Sequence, residues 1–156
     1  NLDELDASLS SVSDKAYSIR EGMKTAEERM KKLQKLIECG KNYLTYKPVQ
    51  NEYRQIRWKG KQEKFAEAHR AELTLWNAAS RYLHANLPDV KALPISEWKQ
   101  EYADLKAQRD TDYAKLKATR AEVTELQKIR KCVDIALRAD QPEQMQSRTK
   151  RHDIDR

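Results

Sequence analysis

The 156-residue chain is predicted to be all-α: an elongated antiparallel helical hairpin of coiled-coil type, with a small helical bundle at its tip. Three observations predict it. Hydrophobic residues make up 38% and charged residues 36%, which suits long solvated helices better than a globule with one thick core. Only three Gly and four Pro interrupt a background rich in Ala, Glu, Lys, Arg, Leu and Gln. Apolar residues recur at alternating spacings of three and four in two long segments, and shorter segments between them let the chain fold back on itself.

The first helix is expected over residues 2–46, with Leu2, Leu5, Leu9, Val12, Ala16, Ile19, Met23, Ala26, Met30, Leu33, Ile37 and then Leu44 as its stripe. Its methionines and alanines make a thin seam that a partner helix can approach closely. Gly22 costs about 1 kcal/mol inside so long a helix. Gly40 loosens the last turns, and Pro48 disfavours helix at Lys47, which places the end near Tyr46. Pro48 then suits the first turn of a short helix over 48–57, and Gly60 breaks the chain before a third helix over 61–86. The loop Leu87 to Pro94 carries two prolines, and a last helix over 95–139 presents Ile95, Trp98, Tyr102, Leu105, Tyr113, Leu116, Val123, Leu126, Val133 and Leu137. Arg109, Asp112, Thr119 and Arg130 fall at or near its seam, where polar residues fix register at a cost in stability. Residues 1–139 thus read as a single helical domain and 140–156 as a flexible polar tail.

Antiparallel pairing of the long helices, with Leu44 near Ile95, places Cys39 beside Gln100 and Cys132 beside Ala7. Two cysteines so far apart form no intrachain disulfide and fit a reducing, cytoplasmic setting. A monomeric hairpin is the favoured arrangement, and a dimer with heptads paired between chains is the alternative. No apolar run approaches the roughly 20 residues of a membrane span, so no membrane insertion is expected. The chain begins at Asn1 and not at Met, as an excised fragment would.

The charge of +6 is unevenly placed. Residues 1–14 carry only acids, whereas Lys47 to Arg70 holds seven bases against Glu52, Glu63 and Glu67. Arg54, Arg57, Lys59, Lys61, Lys64 and Arg70 are therefore the candidate nucleic-acid-binding residues, beside Tyr53 and Trp58. The competing reading is that Tyr53 and Trp58 plug the helical tip while the bases solubilise it, and for the aromatics the plug is favoured. The histidines His69, His84 and His152 never fall in a metal-binding spacing, Lys59-Gly60-Lys61 lacks the strand of a nucleotide loop, and no catalytic set assembles. No enzyme, metal or cofactor is expected in this region. His69 is expected as a packed histidine, one turn from Glu72.

The stretches IRWKGKQEKFAEAHRAELTLWNAASRYL, LPISEWKQEYADLKAQRD and QSRTKRHDIDR resemble the helical C-terminal region of relaxases, the mobilisation nucleases of conjugative elements in Gram-positive bacteria. The resemblance spans roughly Ala16 to Arg156 and is most specific at Trp58-Lys59-Gly60-Lys61, Phe65, Glu67, His69-Arg70, Leu93-Pro94 with Trp98, and the basic ending. It implies a larger protein whose N-terminal domain nicks DNA with a tyrosine nucleophile and a histidine-bound metal. Nothing in this chain matches that apparatus. The resemblance therefore implies a non-catalytic accessory region in conjugative transfer or plasmid mobilisation, contacting DNA or proteins of the transfer complex. The alternative is a coiled-coil scaffold that binds only protein.

Overall fold

The computed structural model describes residues 1–140, and every regular element in them is helical. The order is α1 (Leu2–Gln55), α2 (Lys59–Ala68), α3 (Arg70–Asn86) and α4 (Ile95–Ala139). The expected polar tail, apart from Asp140, lies outside the described residues. Contacts group the chain into a central unit, Thr25–Arg109, and a terminal unit made of Asn1–Lys24 with the chain from Asp110 on. Both α1 and α4 contribute to each unit.

The first helix opens with a side-chain cap: the Asn1 carboxamide oxygen accepts from the Asp3 amide at 3.0 Å, and Asp3 and Glu4 complement the helix dipole. Its end corrects the sequence expectation. Pro48 lies inside α1, which runs on to Gln55, and the separate helix expected over 48–57 is the last part of α1. A proline within a helix removes one backbone hydrogen bond and crowds the preceding turn, at about 3 kcal/mol. Here Leu44 and Pro48 both lie on the exposed side of α1. The opposite side of the same turns is packed: Gln50 is buried, and Tyr43 stacks on Trp76 with ring centroids 5.4 Å apart. Packing on that side offsets the local cost.

The core of the central unit joins Leu33, Leu36, Cys39, Ala79, Leu83, Val90 and Trp98. Leu33 and Leu83 have no exposed surface, and each such leucine is worth about 2–5 kcal/mol against Ala. Leu36 and Cys39 were outside the expected stripe, while Leu44, expected within it, is 52% exposed. The reason is geometric: α1 meets both α3 and α4 here, so its buried face is wider than a two-helix seam. Gly40 marks a tight approach, since a Cβ there would stand 3.2 Å from the Ile95 side chain and 3.3 Å from the Trp98 ring. Its role is contact with α4, and it does not loosen α1. The contact also lies within a turn of the expected pairing of Cys39 with Gln100.

The expected break at Gly60 falls instead at residues 56–58, with Gly60 inside α2. The expected helix 61–86 is in fact two helices, because His69 leaves helical geometry at φ −112°, ψ 27°. No Gly or Pro announces this break. The loop after α3 closes with Asp89 Oδ1 accepting from the Lys91 amide at 2.9 Å, and α4 begins at Ile95 as expected. Arg29 grips Glu101 through Nε to Oε1 at 2.7 Å and Nη2 to Oε2 at 3.0 Å. That hydrogen bond holds the Glu101 carboxyl below its usual range.

In the terminal unit α1 and α4 also run antiparallel, with Arg130 donating to Asp6, within a turn of the expected pairing of Cys132 with Ala7. Ala16, Leu116 and Thr119 are its buried residues among those described. The seam position of Thr119 is tolerated because its hydroxyl donates to the Lys115 carbonyl at 2.8 Å. Both cysteines are free, Cys39 buried and Cys132 exposed.

Two predictions follow from this packing. Gly22→Ala, with nothing within 4 Å of the added Cβ, should stabilise by about 0.5–1 kcal/mol, whereas Gly40→Leu should cost about 1–3 kcal/mol, both read by urea unfolding. Because the Glu101 carboxyl is depressed in the folded state, its contribution is present above the unfolded carboxylate range and is lost as pH falls through the folded value. The pair is two-fifths exposed, so Glu101→Gln should remove only about 0.5 kcal/mol at pH 7 and flatten the acid limb of the stability profile.

Candidate nucleic-acid interface

The candidate bases lie on four successive segments of the central unit. Arg54 is in the last turn of α1, Arg57 is in the link to α2, Lys59, Lys61 and Lys64 are on α2, and Arg70 opens α3. All six are exposed. They are set in place by a turn in which the Ile56 amide donates to the Tyr53 carbonyl at 3.3 Å and Gln62 Nε2 donates to the same carbonyl at 3.2 Å. That shared acceptor ties the start of α2 to the end of α1. The first α2 bond, Gln62 N to Trp58 O at 2.8 Å, leaves Trp58 at the cap without a side-chain capping bond.

Helical spacing divides the α2 bases. Lys61 and Lys64, three apart, share one flank, while Lys59 points from another; the inward side carries Gln62, Phe65, Ala66 and His69. The two aromatics behave differently. Tyr53 is half-buried and stacks on Phe65 at 6.5 Å, as a plug would. Trp58 does not plug anything: it is 74% exposed, and Lys61 Nζ stands 5.9 Å from its ring centroid. An indole of that exposure gains little from burial and leaves ring surface open to solvent beside cations.

Arg54 and Lys47 rest on the stacked pair of half-buried Tyr43 and buried Trp76. The Arg54 guanidinium lies 5.9 Å from the Trp76 centroid and Lys47 Nζ 5.6 Å from that of Tyr43. These cations are held by rings and remain open to solvent on the other side. Arg70 borders a cleft of about 280 Å³ with Gln50, Tyr53, Ala66, Leu73, Thr74 and Asn77. The Thr74 hydroxyl donates to the Arg70 carbonyl at 2.7 Å, and Arg70 as a residue is exposed. Sequence counts Lys47 among the seven bases of this region but not among the six candidates, and it does not single out Gln50 or Asn77. Gln50 did carry a signal, since it falls on one helical face with Tyr43, Tyr46 and Tyr53, but the expected break at Tyr46 hid that register.

His69 is half-buried against Phe65, with ring centroids 4.3 Å apart, as a packed histidine should be. Its Nδ1 stands 3.4 Å from Glu72 Oε2, close enough for charge attraction but not aligned as a hydrogen bond. Among the described residues no group of three His, Cys, Asp or Glu side chains is placed to hold a metal, and no helix is long and apolar enough to cross a membrane.

Comparison with protein-family models, with curated proteins and with solved structures finds no match for this chain.

The contrast between the tryptophans is testable by truncation. Trp58→Ala should change stability by less than about 0.5 kcal/mol, as surface substitutions do, whereas Trp76→Ala should cost about 3–5 kcal/mol, with denaturant midpoints giving both values.

Proposed function

We propose that the central unit is a non-catalytic DNA contact, and that the chain is the accessory region of a relaxase acting in conjugative transfer or plasmid mobilisation. The observation that carries the DNA contact is Trp58, three-quarters exposed and set among exposed Arg57, Lys59 and Lys61. A solubilising surface needs the charges but has no use for an open indole, whereas nucleic acid uses both. Bases supply phosphate neutralisation, and the ring supplies a stacking platform worth about 1–3 kcal/mol per base. The relaxase assignment is supported by the resemblance at Trp58 to Lys61, Phe65, Glu67 and His69-Arg70, a stretch that runs from the cap of α2 to the start of α3 and includes these bases. A cytoplasmic setting and contacts with proteins of the transfer complex belong to that reading.

The test is a mobility-shift titration with transfer-origin DNA, single- and double-stranded, at about 50 and 200 mM salt. Affinity should fall steeply with salt, and replacing Arg57, Lys59, Lys61 and Lys64 by Ala should lower the slope of log affinity against log salt by roughly 3. Trp58→Ala should weaken single-strand binding by about 1–3 kcal/mol with the salt slope unchanged. Unchanged affinity in the four-base variant would remove this surface as the contact.

A further inference from the structure

The terminal unit is short of core. Its buried residues among those described are Ala16, Leu116 and Thr119, while Tyr17 and Tyr113 are each 60% exposed. Much of the apolar surface of this helix pair, Leu9, Val12, Ile19, Val123 and Leu126 among it, is only half-buried, so a further element packed on it would gain burial.

One side of the pair is shaped for such an element. A groove of about 350 Å³ runs between Ser13, Ala16 and Arg20 of α1 and Arg120, Val123 and Thr124 of α4, with small or apolar side chains at its floor. Helical spacing extends the same face. Tyr17 stands four residues beyond Ser13 and three before Arg20, and Tyr113 stands seven before Arg120. By the same spacing Lys24 and Lys117 join it, and Arg20, Lys24, Lys117 and Arg120 make no ion pair among the described residues. The acid Glu122 instead lines a separate groove with Ala7, Ser8 and Ser11.

We infer that this groove docks an acidic amphipathic helix from a partner protein, its apolar stripe on Ala16 and Val123 and its carboxylates against Arg20, Lys24, Lys117 and Arg120. Such a helix completes a three-helix core, and the flanking tyrosines supply the rigid aromatic anchors that interfaces favour. A second copy of the chain is disfavoured as occupant because two such faces repel. Residues 141–156, with four bases against three acids, do not supply the charge either.

The test uses the full chain and two synthetic amphipathic peptides of about 21 residues with identical leucine stripes, one flanked by Glu and one by Lys. Fluorescence anisotropy at about 50 mM salt should show the Glu peptide binding at least ten-fold tighter than the Lys peptide. Arg20→Glu with Arg120→Glu, both at exposed positions, should reverse that preference without loss of helical circular dichroism. Tyr17→Ala with Tyr113→Ala should weaken the Glu peptide at least five-fold, which keeps the inference testable if the charge reversal unfolds. Equal binding of the two peptides, or no response to either double variant, would overturn it. So would DNA affinity that falls with the Arg20/Arg120 reversal in the absence of peptide binding. Loss of DNA binding on changing Arg57 to Lys64 bears on the central unit alone, so the two readings fail separately.

Discussion

The missing side chain at Gly40 is the constraint on which the central unit depends. Ile95 and Trp98 come within 3.2 and 3.3 Å of where a Cβ would be, so the beginning of α4 lies directly on the backbone of α1. That approach seats Trp98 among Leu33, Leu36, Cys39 and Leu83, with α3 closing the cluster. A wider spacing at this level would separate the surfaces that exclude water, and close-packed interiors do not stretch to follow. The glycine has an ordinary helical cost, about 1 kcal/mol, against a core that is worth several times as much.

What was legible in the sequence was whatever periodicity or punctuation records. The helical class, the limits of α4 and the antiparallel pairing within each unit could be read because heptad spacing and the Leu87 to Pro94 loop encode them in residue types. The continuation of α1 through Pro48 could not. A local rule about proline was overruled by tertiary packing of Tyr43 and Gln50 against α3, which no local pattern reports. The break at His69 was hidden for the opposite reason, because a single non-helical residue between two amphipathic stretches leaves their apolar spacing nearly intact. For the candidate surface, sequence named the bases and their exposure follows from their chemistry. It misjudged Trp58, since hydrophobicity scales assign an indole to the interior and only the fold shows that nothing covers it.

The ion pairs and the aromatic cations divide their tasks. Arg29 with Glu101 and Arg130 with Asp6 join α1 to α4 inside their respective units, where solvent exposure keeps each contribution small and makes them markers of register more than sources of stability. Arg54 and Lys47, held on Trp76 and Tyr43, are oriented without an ion-pair partner among the described residues. A cation positioned by a ring keeps its charge available to the outside, whereas one positioned by a carboxylate spends it locally.

The placement of the tryptophans governs what light can report about this protein. Trp58, Trp76 and Trp98 all belong to the central unit, and only tyrosines stand in the terminal one. Indole emission is therefore silent on whether the terminal helices are paired, and a single optical melting curve describes half of the molecule. Within the central unit the signal separates further: a soluble quencher reaches Trp58 and is kept from Trp76 and Trp98, so surface occupancy and loss of the interior can be followed independently in one unlabelled sample.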